Sequence, residues 1–315
     1  LYRRAIHRFG SYPTARNAEE SASHANVPPT PDIEKRWKQA QGRKSHKLLE
    51  TERERARVEV RPLVAVSEGL WLDFLALLST PTLNLDAFLA LCSQAVSVLP
   101  LSGRLWAVYL RAITRCQRPK SHMLALYEKA AHSRGVALLG GASLLSLLQA
   151  RIDCERAYAA MELAHAQKKS PDQVLVVTEM DHFMHVYELF LHSISAMQRL
   201  PASEQDASVA LERCAVDWIE RAARALAQTA GLEASAGLYP LADDVWTHAL
   251  EQHPMHATAY LEAAQYFQRR DDDKRARQTY KAAMAKQGLD NKASIVAAWV
   301  AFEHARGSPA EIAQA

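Results

Sequence analysis

Glycine is scarce in this 315-residue chain, at 11 residues, and Val, Ile and Thr together number only 37. Aromatics make up 7%. A large sheet wants more β-branched and aromatic material than this, so composition disfavours an all-β or doubly wound α/β fold. Cysteine is scarce too. The four thiols, Cys92, Cys116, Cys154 and Cys214, lie far apart with no Cys-x-x-Cys pair. That leaves no short disulfide framework and points to a reducing compartment. No apolar run reaches 18 residues, so no membrane span is expected. Neither sign of charge dominates: 38 Lys and Arg stand against 35 Asp and Glu, a formal +3. Such a balance excludes a surface basic all over, of the kind that coats nucleic acid. The chain starts at Leu1 without a signal-peptide pattern and is expected to be part of a longer protein.

What is abundant is alanine, at 55 residues, and leucine, at 38. Both are strong helix formers. A compact chain of this length usually splits into two domains, unless it is built of repeats that grow along one axis.

Residues 1–13 open as LYRRAIHRF and read as the end of a helix, closed by Gly10 and Pro13. Residues 14–32 carry Pro28, Pro29 and Pro31 and almost no large apolar residue, as in a flexible linker. Residues 33–61 hold ten Lys and Arg against five Asp and Glu. That net of +5 leaves the other residues at about −2. Their thin apolar stripe suggests a long charged connecting helix. From residue 62 to 315 the pattern is helix after helix, each of 12–18 residues. The breaks fall at 79–82, 99–103, 118–119, 140–141, 169–171, 201, 231–240, 253–254, 269–273 and 288–291. The one β-leaning run, VLVV at 174–177, is too isolated to pair.

A repeat lies beneath this pattern. Trp71 is followed three residues on by Phe74, and Trp106 by Tyr109. Trp71 and Trp106 are 35 residues apart. Ala95 follows Trp71 by 24 residues, Ala130 follows Trp106 by 24, and Ala283 follows Tyr260 by 23. Ala249 follows Trp218 by 31, the excess being assigned to the Ala- and Gly-rich stretch at 230–240. Trp246 and Tyr280 precede the last two of these alanines by three residues. Aromatics at i and i+3 share a helical face. A small residue on the following helix lets it approach closely. One such hairpin cannot bury its own face, so several must stack. The tryptophans are therefore expected to be core residues, each costing about 3–5 kcal/mol if truncated to alanine.

The last copy, VAAWVAFEHARGS at 296–308, combines Trp299, Phe302, Glu303 and Gly307. This pattern resembles the half-a-tetratricopeptide (HAT) repeat. In order and motif the chain looks most like the HAT region of the U4/U6 splicing-particle recycling factors. That is the family of the squamous-cell-carcinoma antigen recognised by T cells. The segments that carry the likeness are PLSGRLWAVYLRAITR…LYEKAAHSRG, DWIERAARA…ADDVWTHAL, AYLEAAQYFQRRDDDKRARQTYKAAM and AAWVAFEHARGSPAEIAQA. The likeness spans most of 1–13 and 33–315 and is patchy at 140–215. The family's Glu is missing at Ile113 and replaced by Phe267.

The resemblance implies an all-α, right-handed superhelical α-solenoid of HAT helix-turn-helix repeats. It makes 1–13 the end of an N-terminal repeat and 62–315 a C-terminal HAT domain. It implies a nuclear, non-enzymatic scaffold that binds U4/U6 particle proteins without a cofactor. RNA-binding domains outside this chain would contact U6 RNA. It further implies a homodimer through the C-terminal repeats, and a ubiquitin-specific protease as partner. HAT scaffolds of mRNA 3′-end cleavage and of ribosome assembly share the motif, and a solenoid that binds RNA directly is a third reading.

Catalytic patterns are sparse. There is no Gly-rich phosphate loop, no GxSxG and no HExxH. His182, His185 and His192 share a probable helix but lack a completing ligand set. Asp271–Asp273 reads as a charged turn beside a helix N-terminus. The candidate binding residues are Lys35, Arg36, Lys38, Arg43, Lys44 and Lys47, a basic cluster suited to RNA or an acidic partner.

Overall fold

The computed structural model describes residues 68–76, 85–132, 140–169, 175–198, 200–201, 204–230 and 235–307. All of these lie in one compact unit, Val64–Ala315. The basic cluster at 35–47, the linker and the connecting segment lie outside the described residues.

Among the described residues every regular element is a helix, and there are eleven. They are α1 (68–76), α2 (Leu85–Val98), α3 (Gly103–Arg115), α4 (Lys120–His132) and α5 (Gly141–Lys169). The rest are α6 (Leu175–Met197), α7 (Gln205–Ala230), α8 (Tyr239–Gln252), α9 (Ala257–Arg269), α10 (Asp273–Ala285) and α11 (Lys292–Arg306). Each packs on the next helix in the chain from α2 onward. The odd-numbered helices also pack on the next but one, forming a continuous row α3–α5–α7–α9–α11. Stacked hairpins that share one row of helices are the arrangement of an α-solenoid.

Local chemistry sets the boundaries. Ser102 caps α3: its Oγ accepts from the Leu105 amide at 3.1 Å and donates to Glu68 Oε1 at 2.5 Å. One hydroxyl thus closes the helix start and ties α1 to it. Asp272 caps α10 and Asn291 caps α11 through the amides of Arg275 and Ser294. Pro240 sits in the first turn of α8, where a missing N–H costs nothing. The break at 231–240 is therefore shorter than the sequence suggests.

Three helices depart from the expected 12–18 residues. α5 has 29 residues, α6 has 23 and α7 has 26. α5 explains why its pattern was hard to read. Leu147, Ala150, Cys154 and Tyr158 lie on one face and belong to an apolar cluster built with α1–α4. Leu148 and Ile152 lie on another face and belong to a second cluster with α6–α11. A helix apolar on two sides shows no single amphipathic stripe. At its start Gly103 of α3 meets α5 so closely that a Cβ would lie 2.1 Å from the Ser143 carbonyl oxygen. The Gly103 amide donates to Ser143 Oγ at 2.8 Å. The residues of VLVV that are described, 175–177, begin α6.

Candidate interaction surfaces

The repeat residues assemble as the sequence spacing implies. Trp71 and Phe74 meet edge to face at 6.0 Å, and Trp106 and Tyr109 stack at 6.4 Å. Trp106 Nε1 donates to the Pro100 carbonyl at 2.8 Å, which pins the loop before α3. Ala95, Ala130, Ala249 and Ala283 are each 0% exposed, so these four positions have no room for a larger side chain. Trp246 and Tyr260 are buried as well. Trp218 is buried at the middle of α7 rather than near a helix start, between Phe183 at 4.5 Å and Phe190 at 5.4 Å. The long spacing from Trp218 to Ala249 therefore comes largely from the second half of α7.

The C-terminal copy is the most complete. Tyr280 stacks on Trp299 at 6.3 Å and tilts against Phe302 at 6.0 Å. Glu303 is buried beneath them. It accepts from Trp299 Nε1 at 3.0 Å and from Arg277 Nε at 2.9 and 3.1 Å. The Arg277 guanidinium lies 5.4 Å from the Phe302 ring centre. A buried carboxylate with a cation and an indole donor is satisfied, and it locks α10 to α11. At Ile113 and Phe267, where the motif's Glu is absent, the side chains are buried apolar members of the two clusters.

Sequence reasoning missed a second polar hub. Asp243 of α8 accepts from Tyr266 Oη at 2.7 Å, Arg270 at 2.8 Å and Arg275 at 2.5 Å. Arg270 also lies over the Tyr239 ring, 4.3 Å from its centre. Burial pushes the Tyr266 hydroxyl above its usual range, and the Asp243 carboxylate adds to the rise. It also missed Glu155, buried on α5 and paired with Lys120 and Arg151, both at 2.8 Å. These partners come from different helices, so spacing along the chain carries no trace of them.

The histidines of α6 point to different partners. His182 lies 3.8 Å from Glu162, His185 lies 3.8 Å from Glu155, and His192 Nδ1 meets the Glu188 carbonyl at 2.9 Å. Among the described residues no three His, Cys, Asp or Glu side chains could hold a metal ion. The Asp271–Asp273 turn works as a structural clasp. Asp271 and Asp273 accept from Arg306 at 2.7 and 3.0 Å, fastening the end of α11 to the start of α10. No described helix is long and apolar enough to cross a membrane.

The principal concavity is a groove of 710 Å³ between α8 and α10, floored by Trp246, Tyr260 and Phe267. A smaller one of 540 Å³ is walled by Glu220, Arg224, Tyr239, Arg269 and Arg270. Its arginines already pair with Asp217, Glu220 and Asp243. Neither a protein-family model nor any curated protein matches the chain.

Proposed function

We propose that this chain is a HAT-repeat scaffold of nuclear pre-mRNA splicing. It binds proteins of the U4/U6 particle and supports reassembly of U4 with U6, together with RNA-binding domains outside this chain. The observation that carries the reading is the C-terminal unit. There the motif residues Trp299, Phe302 and Glu303 act as one buried group around Tyr280. The mechanism is binding rather than catalysis. Stacked hairpins present long, rigid helix faces, and the odd-numbered row keeps those faces in fixed register. The resemblance adds a right-handed superhelix, self-association through the C-terminal repeats and a ubiquitin-specific protease among the partners. The basic set from Lys35 to Lys47 supplies an RNA or acidic-partner contact in this reading.

The test is affinity purification of the tagged chain from nuclear extract, read by mass spectrometry and by probing for U4 and U6 RNA. Recovery of U4/U6 particle proteins supports the proposal. Recovery of cleavage-factor or ribosome-assembly proteins in their place would move the chain to another HAT group. Direct binding of naked U6 RNA by this chain alone would favour an RNA-binding solenoid.

A further inference from the structure

Two consecutive even-numbered helices contain no cation at all. α6 and α8 together span 37 residues without a single Lys or Arg, yet carry six Asp and Glu. Only Asp243 of the six forms an ion pair among the described residues. The two helices are neighbours on one side of the array. Gln198, one residue past the end of α6, meets His248 of α8 at 2.9 Å, and Asp244 of α8 acts electrostatically on Tyr187 of α6.

The same helix α6 exposes an apolar shoulder. Met180, Met184 and Leu191 are each about 40% exposed, and they are three of the six large hydrophobic side chains exposed among the described residues. At about 100° per residue, the three fall within roughly 40° of each other around the helix axis. They border the buried face that holds Tyr187 and Ile194. Just outside them, at roughly 80–100° on the same helical wheel, stand Asp181 and Glu188. The result is a strip of flexible, polarisable side chains edged by unpaired carboxylates. Methionine adapts to irregular apolar partners, and an amphipathic helix is the natural occupant of an apolar stripe.

We infer that the face formed by α6 and the adjoining edge of α8 docks an amphipathic helix of a partner protein. That helix lays Leu, Met or Phe on Met180, Met184 and Leu191, and flanks them with Lys or Arg that meet Asp181, Glu188 and Asp244. Charge complementarity selects this occupant. An acidic segment would face only carboxylates, and an RNA strand would be repelled by the same row. The inference rests on the reading of the chain as an interaction scaffold, but on no particular partner family.

The experiment uses a fluorescein-labelled 18-residue Leu/Lys amphipathic peptide and its Leu/Glu counterpart, titrated with the full chain by fluorescence anisotropy. The Leu/Lys peptide should bind and the Leu/Glu peptide should not. The doubly substituted Met184→Gln/Leu191→Gln and Asp181→Lys/Glu188→Lys chains should each lose on the order of tenfold in affinity. Circular dichroism and thermal melts confirm that both remain folded, as expected at exposed sites. Affinity within twofold of the parent in both variants would overturn the proposal. So would equal weakening by Asp73→Lys, a charge reversal on α1 away from this face. A dimer dissolved by Met184→Gln would assign the face to a second copy and overturn it as well. The nuclear-extract purification reads a different outcome, so either idea can fail alone.

Discussion

Glu212 Oε1 and His253 Nε2 lie 3.3 Å apart, with their side chains only 1% and 2% exposed. The distance suits an ion pair, yet none of the four polar atoms is aligned for a hydrogen bond. Ser208 Oγ and His256 Nδ1, buried nearby in chain order, share this lack. His256 itself is held between Asp206 at 3.1 Å and Asp290 at 3.8 Å. The junction of α7 with the α8–α9 loop is therefore polar, dry and imperfectly satisfied.

Such a pair should be costly to break and cheap to replace. His253→Ala alone should destabilise by about 3–5 kcal/mol, because it strands a buried carboxylate. Glu212→Leu with His253→Leu should be neutral or stabilising by about 1–4 kcal/mol. Urea denaturation of the two single variants and the double variant measures both. A double variant as damaged as the sum of the singles would show that the pair is not acting as a unit.

Glu303 presents the opposite case, a buried carboxylate with good partners. Glu303→Ala should cost about 3–5 kcal/mol by leaving Arg277 without its counter-charge and Trp299 Nε1 without an acceptor. Glu303→Gln keeps an acceptor for the indole and should cost less. The order of the two melting temperatures is the readout, and a reversed order would remove the indole bond from the account.

The alanine positions predict a contrast between adjacent residues. Ala283 is fully buried and Ala282 beside it is exposed. Ala283→Leu should destabilise by about 1–3 kcal/mol through overpacking, and Ala282→Leu should stay within about 0.5 kcal/mol. Gly103→Ala belongs with the first, because the new methyl would run into Ser143 backbone. Chemical denaturation of the three variants checks the ranking.

The thiols predict both reactivity and a pH trend. Burial pushes Cys92 up to about 12, and burial also raises Cys154 and Cys214. All four cysteines are free, and Cys92 and Cys154 are buried. In the folded chain at pH 8 a thiolate-seeking reagent should reach Cys116 first and leave Cys92 and Cys154 until unfolding. Mass spectrometry of alkylated peptides reads the order. The unfolded thiol ionises near 9.0 while the folded Cys92 stays protonated until about 12. Its contribution to stability is thus complete below pH 9.0 and falls across that window, by about 1.4 kcal/mol per pH unit for each such group. Buried tyrosines such as Tyr280, also raised, act in the same direction above pH 10.0. Rising stability from pH 9 to 11 would contradict this.

Positions that obey local rules were readable in advance. Ala95, Ala130, Ala249 and Ala283, and the aromatics Trp71, Trp106 and Trp299, follow from spacing alone because each hairpin repeats the same contact. The lengths of α5, α6 and α7 were not readable. Between Gly141 and Pro171 no glycine or proline marks a stop, and α5 feeds two apolar clusters, which blurs its periodicity. The pairing of Glu212 with His253 and the hub at Asp243 were also invisible. Their partners lie 23 or more residues away and carry no short-range pattern. The acid-only stretch of α6 was visible as letters, but its meaning depends on which side chains the fold leaves exposed.

The row of odd-numbered helices has a mechanical consequence. A disturbance at α11 reaches α3 only through α9, α7 and α5 in turn, since packing joins each to the next. Such a chain of contacts behaves like a stiff ribbon with separable links rather than a solid block. A partner helix clamped across α6 and α8 would hold the single link between them, α7, on which both pack. Binding at one short face would then set how freely the two ends of the ribbon bend against each other. Rigidity itself would become the signal that an assembly has formed.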